Sequence, residues 1–221
     1  MNALFLSLLK NPINPLSLNI SQPSPHSSNR TFYNRIAPFY SLIDAQLSRY
    51  KQPLINQLNA LPSGDLLCLG VGFGKELKKL QKHRIIGIDH SEKMLAKAQK
   101  FNPSITLKCM KAEQTTFKKE TFDYIVLAHI LSTGNQSEQM LTEADRLLKK
   151  NGKIFILNHF TPKNFLGLVD RIFQPISKIF HFQSAFYLAS LPLKKSLKIA
   201  DIESIGRWNY YQLITLIKQN D

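Results

Sequence analysis

The sequence predicts an α/β fold built on a doubly wound, mostly parallel sheet, and three observations carry that prediction. Strand-like and helix-like segments alternate from residue 64 to residue 159, a rhythm typical of parallel sheets with helices on both faces. The strand-like runs, such as DLLCLG and FDYIVLAHI, are almost continuously apolar, as burial on both faces requires. Three alternate glycines follow the first run, in LCLGVGFG.

The segments around the core are predicted from composition and spacing. Residues 1–31, rich in Pro, Asn and Ser, predict a flexible segment rather than a packed element. Residues 32–63 have helical spacing and predict two helices divided near Pro53. The remaining residues, 64–221, form the predicted core domain, with a helical insertion at about 161–199.

Each element of the core domain follows from its apolar pattern. The predicted strands before the insertion are DLLCLG, RIIGID, SITLKCM, FDYIVLAHI and KIFILNHF. The predicted helices are 75–83, 91–100 and 136–150, and Asn151-Gly152 ends the last of them. Two final strands, IESIG and YYQLITLI, predict an antiparallel hairpin that closes one edge of the sheet.

Charge and cysteine content limit the classes of function. The formal net charge is +14, and a basic surface attracts nucleic acid, anionic lipid or an acidic protein. Neither of the two cysteines has metal-ligand spacing, so we expect no metal and a reducing, cytoplasmic location. Apolar residues recur at helical spacing over 165–180, near several lysines, which fits either a helix on an anionic bilayer or one packed on the sheet. No apolar run approaches the length of a membrane span.

The glycine loop and an acid on the next strand predict a cofactor site. Gly70, Gly72 and Gly74 follow the first strand directly, and Asp89 ends the second. Glycines let backbone approach a ligand closely, and the carboxyl ends of neighbouring parallel strands meet over one crevice. A carboxylate there can accept hydrogen bonds from both hydroxyls of a ribose. The spacing G-x-G-x-G departs from the dinucleotide fingerprint G-x-G-x-x-G, and the phosphate-binding P-loop motif is absent.

Residues 32–160 resemble the class I S-adenosylmethionine-dependent methyltransferases. The motifs that carry the resemblance stand in order: YNRIAPFY, LGVGFG, IIGIDHSEKMLAKA, KAEQTTF, TFDYIVLAHIL and EADRLLKKNGKIFILNHF. Within that superfamily, the chain looks like the bacterial phosphatidylethanolamine N-methyltransferases and the quinone C-methyltransferases. The resemblance implies a Rossmann-like sheet and S-adenosylmethionine as the methyl donor.

The resemblance also implies roles for individual residues. Those expected at the cofactor are Gly70, Val71, Gly72, Gly74, Asp89, His90, Met94, Ala112, Glu113 and His129. Tyr33 and Tyr40 are expected to form part of a lid, and His159 to lie on the substrate side. His129, at the end of the fourth strand, is a candidate general base, although a histidine there can equally be a hydrogen-bonding part of the pocket wall.

Two residues depart from the pattern of these methyltransferases. Cys68 stands where an acid usually helps to hold the ammonium of the cofactor, and Lys111 replaces an Asp that often accepts from the adenine amino group. A lysine cannot accept a hydrogen bond, and each lost contact costs on the order of 1–3 kcal/mol. Glu76, Glu113 or backbone carbonyls are the candidates to substitute for these contacts.

The sequence therefore predicts an S-adenosylmethionine-dependent methyltransferase (EC 2.1.1.-) that acts on a lipid-like acceptor at the inner face of a membrane. The expected acceptor is a phospholipid amine or an isoprenoid quinone. An RNA or protein methyltransferase that uses the basic surface is one alternative, and a non-catalytic member with weakened cofactor binding is another.

Overall fold

The structure, a computed structural model, describes residues 47–132, 136–161, 187–206 and 210–219. The flexible segment predicted at 1–31 lies outside these ranges, as do the lid residues Tyr33 and Tyr40 and most of the predicted insertion. The predicted division of the chain into segments therefore stays a prediction.

Seven strands form a single sheet in the order β3-β2-β1-β4-β5-β7-β6. The strands are β1 (Asp65–Leu69), β2 (Arg84–Asp89), β3 (Thr106–Cys109), β4 (Phe122–Ala128), β5 (Leu148–His159), β6 (Leu197–Ile205) and β7 (Tyr211–Lys218). β1 to β5 pair in parallel, whereas β7 pairs antiparallel with both β5 and β6. The predicted Rossmann-like, mostly parallel sheet with an antiparallel carboxyl-terminal edge is confirmed.

Three α-helices are described: α1 (Gln52–Ala60), α2 (Glu92–Phe101) and α3 (Ser137–Leu147). A 3₁₀ turn, Arg49–Lys51, leads directly into α1, whose Pro53 lies in the first turn, where the missing N–H of proline costs nothing. Ser91 caps α2, because its side chain accepts a hydrogen bond from the backbone N–H of Met94.

Helices pack on both faces of the sheet, which makes the sheet doubly wound. On β5, Ile154 and Ile156 pack with α3, whereas Phe155 and Leu157 pack with α1 on the opposite face. Each such aliphatic or aromatic side chain contributes about 1.5–3 kcal/mol when it is fully buried. The two apolar layers hold the strands rigidly, so that the loops at their carboxyl ends are positioned for binding.

The prediction of an α-helix at 75–83 is wrong, because only a 3₁₀ turn, Leu77–Lys79, forms there. The buried side chains of this stretch, Leu77, Leu80 and His83, recur every third residue, which matches the three residues per turn of a 3₁₀ helix. The lysines between them would also repel one another at the spacings of an α-helix.

The helix predicted at 136–150 ends earlier than expected, at Leu147, and β5 begins at Leu148. The carbonyl of Leu147 accepts from the N–H of Thr121, just before β4, at 2.9 Å. The prediction that Asn151-Gly152 ends this helix is wrong, because both residues lie within β5, where the pairing register with β4 shifts between Phe122 and Tyr124. Asn151 has a φ of 59°, and a Cβ on Gly152 would lie 2.9 Å from the carbonyl oxygen of Asp123.

Candidate cofactor and acceptor site

The glycine loop leaves the carboxyl end of β1 in a conformation that favours glycine. Gly70, Gly72 and Gly74 have φ angles of 64°, 56° and 54°, in the left-handed region that side chains with a Cβ rarely adopt. A Cβ on Gly70 would also lie 2.3 Å from the side chain of Ile130, which follows β4. The loop therefore packs directly against this residue that follows β4, and Gly70 and Gly72 within it are half-buried.

Asp89 ties the end of β2 to this loop. One carboxylate oxygen accepts from the N–H of Gly72 at 2.9 Å, and the other accepts from the N–H of Ser91 at 2.8 Å. Burial raises the pKa of the Asp89 carboxyl, while the charge of His90 and the backbone N–H groups of Ser91, Gly72 and His90 oppose that rise. The two oxygens of a carboxylate together offer about four lone-pair sites, so the carboxylate can still accept from a ligand.

The residues predicted beside the adenine lie on two segments. One segment follows β2, and the other is the turn that follows β3. His90 Nδ1 lies 3.6 Å from Asp89 Oδ1, and Met94 is buried in the first turn of α2. After β3, the N–H of Met110 donates to the carbonyl of Asp89 at 3.1 Å. This bond brings the following turn, which carries Ala112 and Glu113, to the same edge of the sheet.

Hydrogen bonds to the side chain of Glu143, on α3, hold the turn after β3 in place. A single carboxylate oxygen of Glu143 accepts from the N–H of Thr115 at 2.9 Å and from its hydroxyl at 2.6 Å. Arg146 donates to both oxygens at 2.7 Å. Burial raises the pKa of the Glu143 carboxyl, but these hydrogen bonds outweigh it and the net pKa is lowered. Lys111 is exposed on this turn.

Cys68, the residue that replaces the usual acid, is buried at the end of β1. Burial, with a smaller contribution from the carboxylate of Glu76, raises the pKa of its thiol to about 12. Glu76 itself forms an ion pair with Lys51, from the turn that leads into α1. The three residues share one cavity of about 40 Å³ with the glycine loop.

His129 follows β4 and has a φ of 60°, a strained value for a residue with a side chain and one that recurs at functional sites. Its N–H donates to the carbonyl of Leu157 at 2.7 Å, which holds the backbone in place. Burial, with smaller contributions from the nearby Lys51 and His159, lowers the pKa of the imidazole to about 3. The imidazole is therefore neutral at pH 7, and within the described ranges its buried Nε2 has no hydrogen-bond partner.

An aromatic cluster adjoins His129 at the ends of β5 and β7. Tyr50 stacks on Tyr211 at 4.1 Å between ring centroids, and His129 meets Tyr211 edge-on at 5.7 Å. Tyr210 contacts Tyr211 at 5.3 Å and stacks on His159 at 5.5 Å. The tyrosines are partly exposed, whereas His159 is buried.

Four residues of this site were not predicted from the sequence: Lys51, Tyr50, Tyr210 and Tyr211. The aromatic doublet at the start of the last strand, in NYYQ, was the available signal for the last two. Lys51 and Tyr50 reach the site only because the turn before α1 packs across the sheet, and no local pattern reveals that contact.

Comparison with known proteins identifies the family. A family model described as a methyltransferase domain matches residues 67–156. Phosphatidylethanolamine N-methyltransferase of Cereibacter sphaeroides is 30% identical over 147 residues, which cover 62% of this chain and 72% of that protein. This chain belongs to the class I S-adenosylmethionine-dependent methyltransferases. This chain is also 28% identical over 153 residues to the ubiquinone/menaquinone biosynthesis C-methyltransferase UbiE of Syntrophotalea carbinolica. The match covers 63% of this chain and 65% of that protein.

Solved structures agree with this assignment at the level of the fold. An S-adenosylmethionine-dependent methyltransferase of Thermotoga maritima superposes with a TM-score of 0.64 at 21% identity, covering 86% of this chain and 99% of that one. S-adenosylmethionine is thus the methyl donor of the methyltransferase, and the residues at the loop fit it. Asp89 offers lone pairs suited to ribose hydroxyls, and the buried Oε2 of Glu76 has no hydrogen-bond partner among the described residues, so a cationic group can be accepted there.

Two further findings concern the described ranges alone. None of their helices is long and apolar enough to cross a membrane. Nor does any group of three His, Cys, Asp or Glu side chains within them have the arrangement needed to hold a metal ion.

Proposed function

We propose that this methyltransferase transfers the methyl group of S-adenosylmethionine to a lipid-like acceptor, either a phospholipid amine or an isoprenoid quinone, at a membrane surface. The observation that carries the proposal is the partly exposed aromatic cluster beside the neutral His129, at the carboxyl ends of β4 and β5. A surface of partly exposed aromatic rings suits an apolar or flat acceptor better than a strongly hydrated one.

On the cofactor side, we assign the nucleoside to the edge formed by the ends of β2 and β3. Asp89 accepts from the ribose hydroxyls, with His90, Met94, Ala112 and Glu113 around the adenine. Gly70, Val71, Gly72 and Gly74 lie along the remainder of the cofactor. The bound donor supplies a sulphonium methyl group, and the chain supplies alignment and exclusion of water.

On the acceptor side, methyl transfer requires the nucleophile in line with the methyl carbon at about 3 Å. The neutral imidazole of His129 can accept a hydrogen bond from an amine or hydroxyl and so orient it. A group with a pKa of about 3 holds a proton poorly at pH 7, which favours this orienting role. The prediction that His129 acts as a general base stays a prediction.

The aromatic cluster fits both candidate acceptors. The face of a tyrosine ring attracts an ammonium and would stabilise the positive charge that grows on a methylated amine. The same rings can stack on a quinone. Partly buried aromatic side chains also exclude water from the transferring methyl group.

The edge strand β6, which pairs with β7, supports the proposal of contact with a membrane. Ile199 and Ile202 on the edge strand β6 are 36% and 41% exposed. They pair with Leu216 and Ile214 on either side of a bulge and therefore lie on one face of the sheet. Lys195 and Lys198 are exposed in the same segment; we call these two lysines and Ile199 and Ile202 the β6 patch. Apolar side chains preceded by lysines suit an anionic bilayer surface, whereas the exposed Asp201 between the two isoleucines opposes such contact.

Incubation of the purified methyltransferase with methyl-labelled S-adenosylmethionine and defined acceptors tests the proposal. We expect label in the organic phase with phosphatidylethanolamine vesicles or with a demethylated quinone, and the two arms separate N-methylation from C-methylation. Label that enters RNA or protein, with none in the organic phase, would sink the proposal and favour the alternative acceptors. The variant Asp89→Asn provides a control that should lose labelling of every acceptor.

A further inference from the structure

The chain lacks the usual acid at the end of β1, and the residue present cannot replace it. A thiol with a pKa of about 12 is uncharged at pH 7 and gives an ammonium group only a weak acceptor. The amino-acid part of S-adenosylmethionine carries one ammonium and one carboxylate. Both charges need partners in a largely buried site.

Glu76 places a carboxylate next to Cys68. Both residues line the cavity of about 40 Å³ behind the glycine loop, together with Gly70, Val71 and the end of β4. One oxygen of Glu76 pairs with Lys51. The other, Oε2, is buried and within the described residues has no hydrogen-bond partner. A buried carboxylate oxygen without a partner is costly and points to a ligand that the site is built to receive.

We propose that Glu76 and Lys51 together bind the amino-acid part of the cofactor, with Glu76 holding its ammonium and Lys51 its carboxylate. This inference rests on the proposed position of the cofactor at the glycine loop. It moves the acid from the end of β1 to the turn after the loop and adds a cation from the turn before α1. Glu76 was among the candidates that the sequence offered to substitute for the missing acid, whereas Lys51 was not predicted.

The small size of the cavity implies that the ion pair between Glu76 and Lys51 changes its conformation when the cofactor binds. A space of about 40 Å³ holds roughly one water molecule, which is much too small for a bound amino acid. The ion pair must therefore open when the cofactor enters, and its charges then form two new pairs with the ligand. Because Lys51 precedes α1, binding of the amino-acid part also repositions the turn that carries Tyr50 of the aromatic cluster.

Calorimetric titration with two ligands that differ only around the amino-acid part tests the proposal. S-adenosylhomocysteine carries the ammonium and the carboxylate, whereas 5′-methylthioadenosine carries neither. For Glu76→Gln and for Lys51→Met, we expect Kd for S-adenosylhomocysteine to rise about 10- to 100-fold, the range of a lost charge-assisted hydrogen bond. Kd for 5′-methylthioadenosine should stay within about twofold.

Matched controls and a rescue keep the result specific. Glu138→Gln and Lys78→Met remove the same charges from exposed positions and should change neither Kd. Adding Cys68→Glu to Glu76→Gln restores an acid from the end of β1 and should recover most of the affinity for S-adenosylhomocysteine. Cys68→Glu alone should not tighten binding, because it crowds two carboxylates into one cavity.

Three outcomes would overturn the inference, and they are distinguishable. Equal losses for both ligands in Glu76→Gln would mean that Glu76 only supports the loop. Unchanged binding of both ligands would mean that other groups hold the amino-acid part. Binding of both ligands that is insensitive to Asp89→Asn would contradict the proposed position of the cofactor itself. Melting temperatures of all variants confirm that each is folded.

Discussion

His129 combines backbone strain, burial and a neutral ring at the end of β4. Strain of this kind costs on the order of 1–3 kcal/mol and persists where the surrounding structure enforces it. Here the hydrogen bond from its N–H to Leu157 and the contact with Tyr211 enforce it. The position of His129 could be predicted from the strand pattern, but its strain and its lowered pKa depend on packing that no sequence pattern records.

The lowered pKa of His129 makes the stability of the protein depend on pH. In the unfolded chain, the imidazole takes up a proton near its ordinary pKa of 6.5, whereas in the folded protein it stays neutral down to about pH 3. The free energy of unfolding therefore falls as pH drops through this window, by about 1.4 kcal/mol per pH unit for one proton. The variant His129→Asn tolerates the same backbone and should lose this slope.

Urea unfolding between about pH 4 and pH 8 measures the effect, as the difference between the wild-type and His129→Asn free energies. Above about pH 7 the difference should be flat, since both side chains are neutral there. Other groups, including Asp89 with its raised pKa, contribute equally to both proteins and cancel. A difference that stays constant down to pH 4 would contradict the assigned pKa.

At the scale of elements, the turn after β3 depends on α3 for its position. Glu143 fixes Thr115 through two hydrogen bonds, and the turn carries Ala112 and Glu113. We expect Glu143→Gln to loosen the turn and to raise Kd for S-adenosylhomocysteine about tenfold. Calorimetry measures the affinity, and hydrogen exchange of the Thr115 amide measures the loosening. Glu138→Gln, exposed on the same helix, is the control; unchanged exchange of Thr115 would contradict this account.

The β6 patch makes a separate prediction for the edge strand. Replacing both Ile199 and Ile202 by Glu should greatly reduce binding to anionic vesicles, because it removes apolar area and adds repulsion. Kd for S-adenosylhomocysteine should not change, since the patch lies at the far edge of the sheet from β2. Thr106→Glu, exposed on the other edge strand β3, is the matched control in a vesicle flotation assay. Equal vesicle binding by all three proteins would rule out the patch.

The elements also show what local sequence can and cannot predict. The strands were predictable because each is a short apolar run bounded by turns, and the loop and Asp89 because their spacing is local. The stretch at 75–83 was not, since its apolar spacing fits both an α-helix and a 3₁₀ turn, and packing of Leu77 and Leu80 decides between them. Lys51 and Glu76 are 25 residues apart, and their pairing depends wholly on tertiary structure.

At the scale of the whole molecule, the net charge of +14 predicts association that depends strongly on salt. Raising the salt concentration from about 0.05 to about 0.5 M shortens the screening length from roughly 14 to roughly 4 Å. Binding to anionic vesicles should therefore weaken steeply, while residual binding through the β6 patch persists. Sedimentation with anionic and with neutral vesicles measures it. Vesicle binding that depends neither on salt concentration nor on lipid charge would show that the basic surface does not mediate membrane association.

The two cysteines differ in exposure, so that a single native thiol can carry a fluorescent label that reports ligand binding. Cys68 is buried with a raised pKa, so thiol reagents, which attack the thiolate, should leave it unmodified. Cys109 is exposed, and its sulphur lies 3.8 Å from the carbonyl oxygen of His90. A maleimide dye should thus label the folded chain once, at the edge proposed for the adenine, without any engineered site. Its fluorescence would then follow ligand binding in real time, and mass spectrometry showing two labels per folded chain would contradict the burial of Cys68.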